Sequence, residues 1–241
     1  MLIKLDQPKL LSDAISIISE LVTEVRLKVD ENGMSVVAID PANVALVSFI
    51  IPKYSFSGFE VTTETLGISL ESLKSVLRRC SSGSKLIMQT EEGSLRLEIH
   101  DKIKRVFNLA LINIDTEEKV IPSLEFSGNV EMASMDFLDS IEDCSIVADS
   151  CTFSIKSGKF VIEGKGLNSA RLEFSSDEVK LNGSDSRSKY SLEYLMKFVK
   201  ACKLADKVEI GFSNDYPLRL GFKSQAIEMT FILAPRVETE D

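Results

Sequence analysis

Gly33-Met-Ser-Val-Val-Ala-Ile-Asp-Pro-Ala-Asn-Val-Ala-Leu-Val-Ser-Phe49 and Gly158-Lys-Phe-Val-Ile-Glu-Gly-Lys-Gly-Leu-Asn-Ser-Ala-Arg-Leu-Glu-Phe174 are one pattern written twice in a single chain. Gly33, Val36, Asn43, Ala45 and Phe49 recur at one constant offset as Gly158, Val161, Asn168, Ala170 and Phe174. Further along, Ser69, Leu70, Glu71, Leu73, Cys80 and Lys85 recur as Ser191, Leu192, Glu193, Leu195, Cys202 and Lys207, and Leu95-Arg-Leu recurs as Leu218-Arg-Leu. The offset drifts slightly between these sets, as loop insertions make it do. Repetition on this scale predicts two similar domains.

Each half in turn reads as two units of a helix followed by strands. Leu10, Leu11, Ala14, Ile15, Ile18 and Leu21 have the spacing of one apolar helical face, as do Leu70, Leu73, Val76 and Leu77. Their counterparts run from about Ser134 to Val147 and from about Ser191 to Lys203. Between the helices, Val25, Leu27 and Val29 alternate with polar residues. Leu86 and Met88, and then Leu95, Leu97 and Ile99, do the same. Such alternation marks half-buried antiparallel strands, here separated by glycine turns at Gly33, Gly93 and Gly158. Helices covering one face of antiparallel sheets give an α+β fold of two similar domains. The polar stretch Asp115-Thr-Glu-Glu-Lys-Val-Ile-Pro-Ser divides the halves, predicting a domain over 1–114, a surface linker over 115–126 and a second domain over 127–241.

Composition narrows the function. With 241 residues, 44% of them hydrophobic, the chain can build substantial cores. No apolar run has the length of a membrane span, and the start Met1-Leu-Ile-Lys-Leu-Asp-Gln-Pro lacks a signal-peptide pattern, so a soluble intracellular protein is expected. Cys80, Cys144, Cys151 and Cys202 form no CxxC pair and His100 is the one histidine, so neither metal site nor disulfide nor cofactor is expected. The net charge is −9, so the mean field opposes approach to DNA, and any DNA contact must come from a local basic patch.

No catalytic constellation emerges. Phosphate-loop, dinucleotide and nucleophile-elbow motifs are missing, and His100 reads as a surface strand residue rather than a base. The carboxylates, including Glu117-Glu118 and Glu238-Thr-Glu-Asp, read as solvated surface. A metal-dependent enzyme using some of them is the competing class. The basic residues are more informative: Lys74, Arg78 and Arg79, then Lys197, Lys200 and Lys203, stand at spacings of three and four on the faces left over by the apolar stripes. They are either ordinary solvated faces or a stripe for phosphates.

Four separated segments carry a resemblance: Ala38-Ile-Asp-Pro-Ala-Asn-Val-Ala-Leu-Val, Tyr190-Ser-Leu-Glu-Tyr-Leu, Asp215-Tyr-Pro-Leu-Arg-Leu and Leu233-Ala-Pro-Arg-Val. In order and spacing the chain resembles the proliferating cell nuclear antigen family of DNA sliding clamps. Ser145-Ile-Val-Ala-Asp-Ser and the ending look more archaeal than animal. The resemblance implies a ring of three subunits, with helices lining the hole and sheets forming the outer wall. It implies a processivity factor encircling duplex DNA without sequence preference. It also implies docking for DNA polymerase, clamp loader, flap endonuclease and DNA ligase through a peptide with a glutamine, an aliphatic residue and two aromatics. The location would be the cytoplasm of an archaeon or the nucleus of a eukaryote. A checkpoint-type clamp subunit of a heterotrimer is the alternative within the fold.

By that resemblance, Lys9, Lys74, Arg78, Arg79, Lys197, Lys200 and Lys203 face DNA. Ile39, Asn43, Leu46, Ile121, Pro217, Ile232 and Ala234 bind partners. Phe107 and Leu109 on one edge meet Ala170 and Leu172 of the next subunit. The sequence departs from the family in three places. The first helix keeps only Lys9, and the third carries Asp136, Asp139, Glu142 and Asp143. Asn43 and Ile232 replace the histidine and tyrosine of animal members. Lys119 stands where the linker would otherwise offer an apolar side chain.

Overall fold

The structure is a computed structural model and describes residues 1–115 and 119–236. Thr116, Glu117 and Glu118 of the expected linker, Val237 of the last motif and the Glu238-Thr-Glu-Asp run lie outside the described residues.

The doubling seen in sequence is a doubling of elements. The first half runs β1 (Leu2–Leu5), α1 (Lys9–Ile18), β2 (Glu24–Asp30), β3 (Gly33–Ile39), β4 (Ala45–Pro52), β5 (Gly58–Glu60), β6 (Glu64–Ser69), α2 (Leu70–Leu77), β7 (Lys85–Glu91), β8 (Ser94–His100) and β9 (Lys104–Ala110). The second repeats that order as β10 (Gly128–Ala133), α3 (Ser134–Val147), β11 (Ser150–Lys156), β12 (Lys159–Lys165), β13 (Ser169–Phe174), β14 (Lys180–Gly183), β15 (Ser186–Ser191), α4 (Leu192–Phe198), β16 (Lys207–Phe212), β17 (Leu218–Lys223) and β18 (Glu228–Leu233). The chain forms two compact units, one of Met1–Pro41, Val47–Ile121 and Gln225–Met229, the other of Ala42–Leu46, Pro122–Ser224 and the residues from Thr230 on.

In the first half, one sheet has the order β5-β1-β7-β8-β9 and another run of strands the order β4-β3-β2-β6. In the second half the orders are β13-β12-β11-β15 and β14-β10-β16-β17-β18. Hairpins set the register: Glu91 opposes Ser94 across Gly93, and Lys156 opposes Lys159 across Gly158. Both glycines have positive φ, +71° and +77°, which tight turns between strands require. Along β2, Val25, Leu27 and Val29 are buried while Arg26 and Lys28 are half-buried, as the pleat dictates.

The helices are amphipathic and pack in pairs. α1 buries Leu11, Ala14, Ile15, Ile17 and Ile18, α2 buries Leu70, Leu73, Val76 and Leu77, and the two helices touch. The side chain of Ser69 caps α2 by accepting from the Ser72 N–H. In the second unit α3 lies on β12, where Gly164 makes room: a Cβ there would sit 3.1 Å from the Cβ of Cys144. Phe153 forms the aromatic centre of that core, meeting Phe137, Phe160, Tyr190 and Phe212 edge-on at centroid distances of 5.5–6.2 Å.

One element differs from the sequence expectation. The helix predicted over about 191–203 is α-helical only over Leu192–Phe198 and continues as a 3-10 helix over Val199–Leu204. The apolar residues explain the change. Phe198, Ala201 and Leu204, with Val199 and Cys202, repeat every three residues, and all are buried. Three residues per turn keeps them on one side, which 3.6 would not.

Candidate nucleic-acid and partner interfaces

Seven cations were candidates for phosphates, and the structure gives them different surroundings. Lys9 is exposed but paired with Asp13 at 2.7 Å, one helical turn on. Lys74 is half-buried and reaches from α2 to the hydroxyl of Ser19 at 2.7 Å, just beyond α1, so it acts as a strut between helices. Lys197 pairs with Glu193 at 3.1 Å and lies over the Tyr194 ring, 5.0 Å from its centre. Arg78 and Arg79 are exposed at the end of α2 with no ion-pair partner among the described residues, and Lys200 and Lys203 project from the 3-10 turn. On α3, Asp136, Asp139, Glu142 and Asp143 are all exposed beside Met135 and Ile146. Exposed positive charge therefore stands at the end of α2, in Arg78 and Arg79, and after α4, in Lys200 and Lys203.

Among the strands that end the sheets, which also include β5, β6, β14 and β15, are β9 in the first half and β13 in the second, each with an unpaired side. Along β9, Arg105, Phe107 and Leu109 are half-buried and alternate with exposed residues; along β13, Ala170, Leu172 and Phe174 do the same. Ion pairs line both edges. Glu98 on β8 takes hydrogen bonds from Lys104, His100 and Arg96, and these donors hold its carboxyl down at about 2. Arg105, 2.9 Å from Asp101, lowers that carboxyl, and Lys159 with Arg171 lowers that of Glu173. His100 is thus an ion-pair neighbour on a surface strand, as its alternation predicted.

The partner candidates fall into two neighbourhoods. In one, the N–H of Ala234 donates to the carbonyl of Val44 at 2.9 Å, placing Asn43 and Leu46 beside Ile232 and Ala234. Asn43 is exposed with φ +56°, Pro217 is half-buried before β17, and Leu46 and Ile232 are only 7% and 8% exposed. Arg236 fastens the following segment: its N–H donates to Lys189 O at 2.7 Å and its guanidinium pairs with Asp149 at 3.1 Å, which lowers that carboxyl. In the other, Ile39, Ile114 and Lys119 line a cavity of about 400 Å3, and Ile121 is 37% exposed next to an exposed Val120.

Comparison with known proteins matches both halves. Residues 1–119 match the family model described as proliferating cell nuclear antigen, N-terminal domain, and residues 120–237 the one described as its C-terminal domain. The chain is a member of the proliferating cell nuclear antigen family. A protein named DNA polymerase sliding clamp from Methanococcus maripaludis is 32% identical over 93% of this chain and 94% of its own length. One of the same name from Thermococcus gammatolerans is 32% identical over 97% of each. Among solved structures, the PCNA2-PCNA3 complex of Sulfolobus tokodaii aligns at a TM-score of 0.90 and 27% identity, covering 99% of this chain and 100% of that one. A. fulgidus PCNA carrying the C-terminal region of FEN-1 aligns at 0.90 and 29%, covering 99% of each.

Set in the proliferating cell nuclear antigen fold, the sequence reading missed one contact of consequence. Arg26 sits in the alternating pattern of β2 as an ordinary solvent-side residue, yet its guanidinium holds the carbonyl of Ile114, the residue before the expected linker. No local signal announces this, because its partner lies far along the chain. The cysteines take no part in either neighbourhood's polar contacts: burial pushes the thiols of Cys144 and Cys202 up to about 11 and 12, and raises that of Cys151 as well. No helix among the described residues is long and apolar enough to cross a membrane.

Proposed function

We propose that this chain is a DNA sliding clamp, a ring subunit that encircles duplex DNA and holds replication and repair enzymes on it. The observation that carries this is the matched pair of clamp domains, found in order and spanning nearly the whole chain. Residues 1–114 and 127–241 are read as the two clamp domains and 115–126 as the linker between them. Three such subunits close head to tail, β9 of one beside β13 of the next. The protein works without catalysis of its own, in the cytoplasm of an archaeal cell, consistent with its archaeal relatives.

The physical logic reconciles the acidic chain with a nucleic-acid task. Closure around the duplex supplies retention, so contacts with DNA need only be weak and indifferent to sequence. Exposed cations at the ends of α2 and α4 meet phosphates in that way, giving salt-sensitive contacts that permit sliding. Lys74 belongs less to this set than its spacing promised, since Ser19 holds its ammonium. The acidic α3 weakens the grip within each second domain. Docking uses Ile39, Asn43, Leu46, Ile121, Pro217, Ile232 and Ala234, and support comes from the relatives named for DNA polymerase and from the structure of a relative with the FEN-1 tail.

The test is a combined charge reversal of Arg78, Arg79, Lys197 and Lys200. The trimer should persist, loading onto nicked circular DNA should fall, and each lost phosphate contact should flatten the salt dependence by about one log–log unit. Unchanged loading and unchanged polymerase stimulation would place the DNA contacts elsewhere.

A further inference from the structure

The linker starts in a cradle that the sheet builds for it. Arg26 on β2 and Gly67 on β6 are direct cross-strand partners, so they share one face of the sheet. One is the longest side chain available there and the other has none. The backbone that leaves β9 crosses this pair. Leu111 N–H donates to Gly93 O and Ile112 N–H to Gly67 O, each at 3.0 Å. Gly67 is required by the crossing: a Cβ at that position would lie 2.0 Å from the Ile112 carbonyl oxygen and 3.2 Å from Cγ1 of Ile114.

Two residues on, Arg26 completes the hold. Its Nε donates to the carbonyl oxygen of Ile114 at 3.1 Å, and its Nη2 donates to the same oxygen. A charged donor makes this stronger than an ordinary amide bond, and two N–H groups of a rigid fork fix its direction. Asn113 turns the other way and donates to Asp115 at 2.9 Å. Arg26, Ile39, Ile114 and Lys119 then line one cavity, so the same arginine bounds a space that Ile114 and Lys119 share.

We propose that Arg26 and Gly67 form a latch that fixes the root of the linker, and that Arg26 thereby sets partner affinity without touching the partner. This rests on the docking role given to Ile121 above. A segment held at its root has fewer conformations to lose when a peptide docks, so the latch preorganises the site. Arg26 is a positioning residue in this scheme. Released from Ile114, the linker keeps Ile121 but pays more entropy to present it.

The experiment uses the full chain, and its probe is a synthetic peptide with a glutamine, an aliphatic residue and two adjacent aromatics. Calorimetry is run on Arg26→Ala, Arg26→Lys and Ile121→Glu, alongside hydrogen exchange at the Ile112 amide. Arg26→Ala should bind about tenfold more weakly, the scale of one charge-assisted hydrogen bond, with a less favourable entropy and faster exchange at Ile112. Arg26→Lys, which keeps the charge without the fork, should fall between the two and serves if the alanine variant does not fold. Wild-type affinity in both Arg26 variants with loss in Ile121→Glu overturns the latch alone. Wild-type affinity in all three overturns the docking site as well. Weaker binding with unchanged exchange at Ile112 also overturns the latch, since the arginine would then act by another route.

Discussion

A Phe107→Asp variant should be monomeric at concentrations where the wild type assembles. Both strands proposed to meet at the subunit seam have an unpaired side, a row of free N–H and C=O groups that favours addition of another strand. Pairing across the seam, Arg105 to Leu111 against Ser169 to Ser175, must respect the pleat. Half-buried Phe107 and Leu109 have to oppose half-buried Ala170, Leu172 or Phe174 rather than exposed Arg171 or Glu173, because a slip of one residue turns every side chain to the wrong face. In the proposed ring, Phe107 would therefore meet Leu172 or Phe174 of the next copy. An unpaired carboxylate buried there costs several kcal/mol, enough to dissociate a ring held by short seams. Circular dichroism should stay that of the wild type, since Phe107 is only half-buried within its own chain. Sedimentation decides it. A Phe107→Asp protein with the wild-type mass, or a wild type monomeric at every concentration and with every co-expressed clamp subunit, would remove the ring from this account.

Ile121→Glu should cost at least about 2 kcal/mol in affinity for the same peptide, roughly thirtyfold, with folding and assembly intact. An aromatic anchor buried against an aliphatic side chain supplies much of the energy of a small interface, and a carboxylate there is stranded. The structure decides which residue can report this. Leu46 had equal standing in the sequence, but it is only 7% exposed, so a charge there would disturb the packing around it as well as docking. Ile121 is 37% exposed and can change without opening the core. Wild-type affinity in an assembled Ile121→Glu protein would move the docking site off the linker.

The departures from the sequence reading share one character. Lys74, Arg78 and Arg79 looked equivalent, each on the polar side of α2, yet Lys74 spans to Ser19 while the arginines have no ion-pair partner among the described residues. Helical spacing tells which side a residue faces and nothing about what the rest of the chain brings to that side. The same holds for Arg26. Its alternation placed it correctly on β2, but its partner carbonyl lies 88 residues away. The 3-10 turn is the exception, since its three-residue apolar repeat was written in the sequence and was absorbed into a helix.

By itself the sequence determined the doubling of the fold, the type and order of the helices and main strands, the glycine turns of the hairpins and the family. These follow from spacings of two, three and four residues and from a repeat within one chain, which are local physics or simple self-comparison. Only the tertiary structure decided which cations are held by neighbours such as Asp13 and Ser19, that Leu46 and Ile232 are nearly buried, that β9 and β13 are among the strands at the sheet edges, and that Arg26 and Gly67 hold the backbone leading into the linker. Each of those depends on long-range contacts. Burial, ion pairing and edge exposure are properties of what arrives from elsewhere in the chain, and no local window of sequence contains the arrival.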